Sequence, residues 1–258
     1  MSTNCLDLVI KNAAFTKGIG QTLPVSDGLL AFSLFGDSLG LDFADTGAVP
    51  SVVGSPARTG AFTSSCNANA YVDTGIKPSE NYTVIAVAKI FRATAGLVTT
   101  HSYKKDSLVY RGHGLLMQGT PSESMVTGTY DGTEAGTPGV SVTFINATNG
   151  AIPTSAAAAE WRCITARLDW AGTLGTAKRA IINDLTKGVS AATTLTANAV
   201  DLRADVTFRA GSTYPGAAQS VNQEMMAYAI YNRPLTSDEL QSVYKTLQAI
   251  GAKASIVF

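Results

Sequence analysis

Histidine, cysteine and charge are all scarce in this chain, and each scarcity closes off a class of function. The 258 residues include two histidines, His101 and His113, and three cysteines, Cys5, Cys66 and Cys163. An odd set of thiols with no C-x-x-C pair offers neither a disulfide framework nor a zinc site, so buried apolar thiols are expected. The 19 basic and 19 acidic residues cancel, with no Lys/Arg run, which excludes the basic surface of a nucleic-acid-binding protein. No apolar run approaches the roughly 18 residues that span a bilayer, so no membrane insertion is expected. The opening "MSTNCLDLVIKNAAF" lacks the charged start and continuous apolar core of a secretory leader. Synthesis as a soluble cytoplasmic product is the expectation.

What is present is mostly strand. Short β-branched or aromatic runs, bounded by Gly, Pro, Asn, Asp or Ser, fall at 6–10, 29–35, 81–91, 140–147, 161–170, 179–184, 206–211 and 225–232. In "NYTVIAVAKI" Tyr82, Val84, Ala86 and Ala88 alternate with Thr83, Ile85, Val87 and Lys89, so both faces are apolar. That predicts a central strand covered on one side by a second sheet and on the other by loops or a neighbouring subunit. One segment reads as a helix. In "RPLTSDELQSVYKTLQAIGA" Thr236 is an N-cap with Glu239 three residues on, Leu240, Val243, Tyr244, Leu247 and Ile250 follow at helical spacing, and Gly251 supplies a stop. "TSAAAAE" at 154–160 suggests a further helical turn, and 111–139 reads as loops and short strands. Strands without intervening helices predict an all-β antiparallel sandwich with a short C-terminal helix, formed by residues 28–258 and preceded by an arm at 1–27.

"LFGDSLGLDF" at 34–43 tests a hydrolase reading. Gly36-Asp37-Ser38-Leu39 resembles the opening signature of the GDSL esterases, but that family takes its base from a D-x-x-H motif near the C-terminus. Here no D-x-x-H occurs and no histidine follows His113. An unassisted serine is a weak nucleophile, and "LGLDFADTGAVP" has no helical period to complete a nucleophile elbow. A glycosidase needs two carboxylates about 5 to 9.5 Å apart. Asp201 and Asp205, if extended, lie roughly 13 Å apart and fail unaided. No catalytic residue is assigned, and an esterase at Ser38 or a glycosidase stays a minor alternative.

From Gly28 onward the chain resembles the concanavalin A-like, laminin-G-like jelly rolls. "GLLAFSLFGDSLGLDFADTG", "VVGSPARTGAF", "NAYVDTGI", "NYTVIAVAKI", "EWRCITARLDW", "AIIND" and "MMAYAIYNRPLTSDELQSVYKTL" follow the order of that family's segments. The resemblance implies that Gly36 to Leu39 form the loop after the first strand, and that Trp161, Tyr231 and Arg233 pack and lock the last strand-to-helix corner. It departs at the family's calcium-associated turn, where "TSSCNANA" offers Asn67 and Asn69 without a carboxylate, and at Ala227, which replaces an acidic residue of the last strand. No metal and no cofactor are therefore assigned.

The resemblance, the missing leader and the Gly/Ala/Ser/Thr-rich body imply a bacteriophage virion protein of tail, fibre or capsid exterior, homo-oligomeric and partnered with other virion subunits. Its strand-like arm would add to a sheet edge. Attachment to a host surface glycan is the leading function, and a purely structural capsid decoration is the alternative. For a sugar site the candidates are His101, Tyr103, Tyr110, Arg111 and His113, gathered within "HSYKKDSLVYRGHG", and Tyr214 in "STYPGAAQS".

Overall fold

The computed structural model describes residues 22–258 except 45, 47–48, 102, 106–107, 111, 119–121, 131–138, 147–149, 176 and 216–218. The strand expected at 6–10, most of the arm, Cys5 and Arg111 lie outside the described residues. Eighteen strands follow one another: β1 (Leu29–Leu34), β2 (Ser51–Val53), β3 (Ala57–Arg58), β4 (Ser64–Cys66), β5 (Tyr71–Asp73), β6 (Asn81–Ile90), β7 (Ala95–Thr99), β8 (Tyr103–Lys105) and β9 (Leu108–Tyr110). Then come β10 (His113–Gln118), β11 (Ser122–Tyr130), β12 (Gly139–Asn146), β13 (Glu160–Asp169), β14 (Arg179–Asp184), β15 (Val189–Thr194), β16 (Ala199–Val200), β17 (Arg209–Ala210), β18 (Gln223–Tyr231) and the helix α1 (Ser237–Ala252).

Two eight-stranded antiparallel sheets face each other. The first runs β15-β14-β13-β6-β18-β4-β3, with β1 beside β18; the second runs β12-β11-β10-β7-β17-β5-β2, with β16 beside β11. β8 and β9 form a separate hairpin inserted between β7 and β10. The β6 alternation sorts as its pattern demands. Tyr82, Val84, Ala86 and Ala88 enter the core between the sheets, while Ile85 and Val87 join an outer core with Phe32, Leu34, Ala229 and Tyr231. The cover on that outer face is chiefly α1, whose Leu240, Val243, Leu247 and Ile250 pack there with Ile256 and Phe258, and loop residues Phe43, Ala44 and Phe62 pack against the same layer. The end of the arm joins the same layer, with Leu23 buried and the Val25 carbonyl accepting the Tyr231 hydroxyl at 3.2 Å.

The predicted capping box is present, Thr236 Oγ1 accepting from Glu239 N–H and Glu239 Oε2 from Thr236 N–H. Arg233 locks the corner as expected, reaching the Asp27 carboxylate at 2.8 Å and Glu239 at 2.6 Å. Gly251 does not end the helix, which continues to Ala252; a Cβ there would stand 2.9 Å from the Phe258 ring, so glycine is needed for that ring to seat. Residues 154–160 form only a short 3-10 turn at Ala156–Ala158, and at 206–211 only Arg209–Ala210 is strand. The segment read as loops and short strands at 111–139 holds the whole of the long β10–β11 hairpin. Cys66 and Cys163 are buried free thiols, and burial pushes Cys66 up to about 12.

One charge cluster crosses the core. Arg162, fully buried on β13, donates to Asp184 at 2.9 Å on its own sheet and to Glu123 at 3.1 Å on the opposite one. The Gly150 and Ala151 carbonyls accept from the same guanidinium at 2.7 and 2.9 Å. A guanidinium bound through its two terminal nitrogens to groups of both sheets pins them in register.

Candidate functional site

The site is built at the end of the sandwich where β7 stops and β10 starts. Thr99 Oγ1 donates to the His113 carbonyl at 2.7 Å, and His113 N–H donates to Thr100 Oγ1 at 2.8 Å, which closes the neck from which the β8–β9 hairpin projects. Gly112 makes the neck possible. Its φ is +67° and a Cβ would lie 2.3 Å from the Thr100 carbonyl oxygen, so a larger residue cannot take this place.

Residues 201–206 complete a cleft of about 200 Å³ lined by Lys77, Thr100, Gly112, His113, Asp201 and Asp205. Asp201 is anchored by its N–H on the Gly128 carbonyl at 2.9 Å and accepts Arg203 Nε and Nη2, both at 2.8 Å. Asp205 sits at φ +51° and meets Lys77 at 2.7 Å. This left-handed backbone turns the loop, so Asp201 and Asp205, read from sequence as splayed along an extended strand, both line one cleft. Inside the cleft Lys77 pairs with Asp205, and Arg203, outside the lining, pairs with Asp201, so each lining carboxylate is matched by a cation.

Aromatic and cationic groups stack beside it. Tyr103 and Tyr110 face each other across the hairpin. Tyr103 meets Tyr214 edge-to-face at 5.4 Å, and the Arg209 guanidinium lies over Tyr214 at 3.6 Å and over Tyr71 at 4.4 Å. On the other side Arg203 lies 5.9 Å from the Tyr110 ring, linking that ring to Asp201 and the cleft.

The structure thus brings most of the predicted residues to one end and divides their roles. His101, Tyr103 and Tyr110 are partly exposed at the rim. His113 and Tyr214 are buried and brace the rim. Tyr214 is buried and its hydroxyl donates to the Thr207 carbonyl at 2.9 Å. His113 is 1% exposed, with Nε2 bound to the Asp201 carbonyl at 2.9 Å and its ring edge-on to Tyr82. Burial lowers its pKa below the ordinary 6.5 and so favours the neutral ring, against the opposing pull of that carbonyl and of the Asp201 charge. Lys77, Arg203 and Arg209 were not singled out in the sequence. Arg203 and Arg209 lie near Asp201, Asp205 and Tyr214 in the chain, which spacing alone does not distinguish from ordinary surface charge, and Lys77, far from all three in sequence, carries no such signal.

Ser38 lies elsewhere. Gly36–Ser38 form a 3-10 turn against the Ala61 carbonyl, with Asp37 held by Arg58 at 2.8 Å. Leu34 pairs with Ala227, which pairs with Val87, whereas His113 packs on Tyr82. Five residues of strand separate those levels, roughly 17 Å at 3.3 Å per residue, so the turn and the two imidazoles occupy opposite ends of the sandwich. Among the described residues no three His, Cys, Asp or Glu side chains group to hold a metal ion, and no helix is long and apolar enough to cross a membrane.

No family model and no curated protein matches the sequence. Solved structures do. The receptor binding domain of botulinum neurotoxin C/D mosaic serotype aligns with a TM-score of 0.58 at 12% identity, over 86% of this chain and 52% of its own. The botulinum neurotoxin serotype D ligand binding domain in complex with N-acetylneuraminic acid gives 0.53 at 9%, over 86% and 51%. A Trypanosoma rangeli sialidase in complex with sialic acid gives 0.56 at 12%, over 90% and 35%. The chain shares their β-sandwich fold. It spans about half the length of the neurotoxin domains, and at these identities the likeness is one of fold.

Proposed function

We propose that this chain is a non-enzymatic, lectin-like module that attaches its carrier to a surface glycan through the rim around β8 and β9. The observation that carries this is the juxtaposition of a small polar cleft with partly exposed tyrosines on a hairpin braced by buried aromatic and half-buried arginine side chains. Sugar rings are recognised by an aromatic face together with a few fixed polar groups, and Tyr103, Tyr110, Lys77 and Asp205 supply those elements. At about 200 Å³ the cleft is smaller than the roughly 300–1,000 Å³ of sites for drug-sized ligands, which suits one ring of a glycan whose remainder stays in solvent. Its balanced charges favour a neutral sugar over an acidic one. In support, two of the solved neighbours are complexes with N-acetylneuraminic acid or sialic acid, although this chain aligns with only 51% and 35% of their lengths.

The carrier we propose is a bacteriophage virion, on the strength of the jelly-roll resemblance and the Gly/Ala/Ser/Thr-rich composition. Glycan-array binding of the purified protein tests the attachment role, with Tyr103→Ala and Lys77→Ala as the variants. Retention of neutral glycans by the native chain, lost in both folded variants, supports the proposal. No retained glycan, or retention unchanged by both substitutions, overturns it. Hydrolysis of nitrophenyl acetate abolished by Ser38→Ala would overturn its non-enzymatic part.

A further inference from the structure

The four outer edges of the two sheets differ in how they are guarded against pairing. β2 and β3 are three and two residues long, and β15 turns Ser190, Ala192 and Thr194 outward. β12 is different. It is eight residues long, pairs on one side with β11 over Ser122 to Thr129, and has no partner on its other side among the described residues. Its sequence, "GVSVTFIN", contains no charge and no proline, the residues by which exposed edges ordinarily resist pairing. Thr143 and Ile145 are buried, while Val140 and Phe144 are 43% and 51% exposed, with Val142 between them on the same face.

We propose that β12 is a self-association edge on which a second copy of this chain pairs antiparallel about a two-fold axis at Val142. In that register Val140 lies opposite the partner copy's Phe144, Phe144 opposite its Val140, and Val142 opposite its equivalent. Every exposed apolar side chain of the strand thereby gains an apolar cross-strand neighbour. A shift of the axis to Thr143 would set Val140 against Asn146 and lose this match, and side-chain parity keeps the buried face of each copy on the same side of the joined sheet. A two-fold axis opposes like with like, so an edge free of charge is the kind that can pair with itself. The joined sheets would extend continuously through both molecules, placing the two glycan-facing rims in one bivalent particle, although the pairing itself does not depend on the glycan reading.

The test is mass measurement by sedimentation or light scattering from about 1 µM to about 1 mM, the range in which small interfaces associate. The native chain is expected to move from 26.8 kDa toward twice that mass as concentration rises. Val142→Lys and Val142→Glu, substitutions on the partly exposed face of the strand whose folding circular dichroism checks, are each expected to stay monomeric, and their equimolar mixture to recover the dimer. Phe144→Lys provides an independent variant and is expected to weaken association at least tenfold. A native chain that is monomeric throughout overturns the proposal. So does a dimer that survives all three substitutions, since its interface then lies elsewhere, for instance with residues 1–21 as the occupant.

Discussion

Replacing Glu123 by glutamine is expected to make the protein more stable at alkaline pH and to leave it nearly unchanged in mild acid. Glu123 and Asp184 are both buried around the one guanidinium of Arg162, and Glu123 Oε2 has no hydrogen-bond partner. Two carboxylate charges there exceed what one cation can balance. Desolvation, reinforced by the Asp184 charge and opposed by Arg162, holds the Glu123 carboxyl up to about 8, and Asp184 is raised as well, chiefly by its own burial. An unfolded glutamate titrates near 4.5. Below that value both states hold the proton and the contribution to stability is complete. Between about 4.5 and 8 the folded chain keeps a proton that the unfolded chain releases, so stability falls with rising pH by up to about 1.4 kcal/mol per pH unit and by a few kcal/mol in all. Glutamine has the same shape, can accept from Arg162, and cannot ionise. Guanidinium chloride unfolding at pH 5, 7 and 9 reads the difference. The native midpoint should drop between pH 5 and 9 while that of Glu123→Gln drops less, with the variant within about 1 kcal/mol at pH 5 and 2–4 kcal/mol more stable at pH 9. Parallel pH profiles for the two proteins would refute the reasoning.

Truncating the cation is the harsher change: Arg162→Ala leaves buried carboxylates unpaired and should cost about 3–5 kcal/mol, read by thermal or chemical unfolding. Thr236→Ala removes the cap of α1 and should cost about 1 kcal/mol, with Thr236→Ser close to native in the same assay. Gly112→Ala forces a side chain against the Thr100 carbonyl at a left-handed φ and should cost on the order of 2–4 kcal/mol, while Gly188→Ala, in a turn with open space, should cost less in parallel unfolding curves. Tyr214→Ala should lower stability by removing a packed ring, whereas Tyr103→Ala should spare stability, so comparing melting temperature with glycan retention separates support from contact.

Much of the sandwich was legible because its signals are local. The β6 alternation, the 179–184 strand and the Thr236–Glu239 box depend on neighbours in sequence, and each is found where the pattern puts it. The β10–β11 hairpin was missed because its glycines look like loop punctuation. Gly114 is there because its φ is +106° and a Cβ would lie 2.2 Å from the Val98 carbonyl, a requirement of the adjoining strand that no single-sequence pattern carries. The site follows the same division. The aromatic cluster from His101 to His113 was visible as composition, but which rings face solvent depends on Arg209 and Thr207, far along the chain. Asp201 and Asp205 were judged by extended-strand spacing, and a left-handed turn at Asp205 brings both to one wall. Arg162 and Glu123 carried no signal in the sequence, since their pairing is made across the two sheets.

The claim at the centre of this account is that ligand engages the end of the sandwich carrying the β8–β9 hairpin. Amide hydrogen exchange of the native chain, with and without a neutral glycan selected from the array, tests it most directly. New protection is expected at residues 75–79, 99–113 and 200–214, with exchange at 36–58 unchanged. Protection appearing instead around the Gly36–Ser38 turn, or none at saturating glycan, would contradict it.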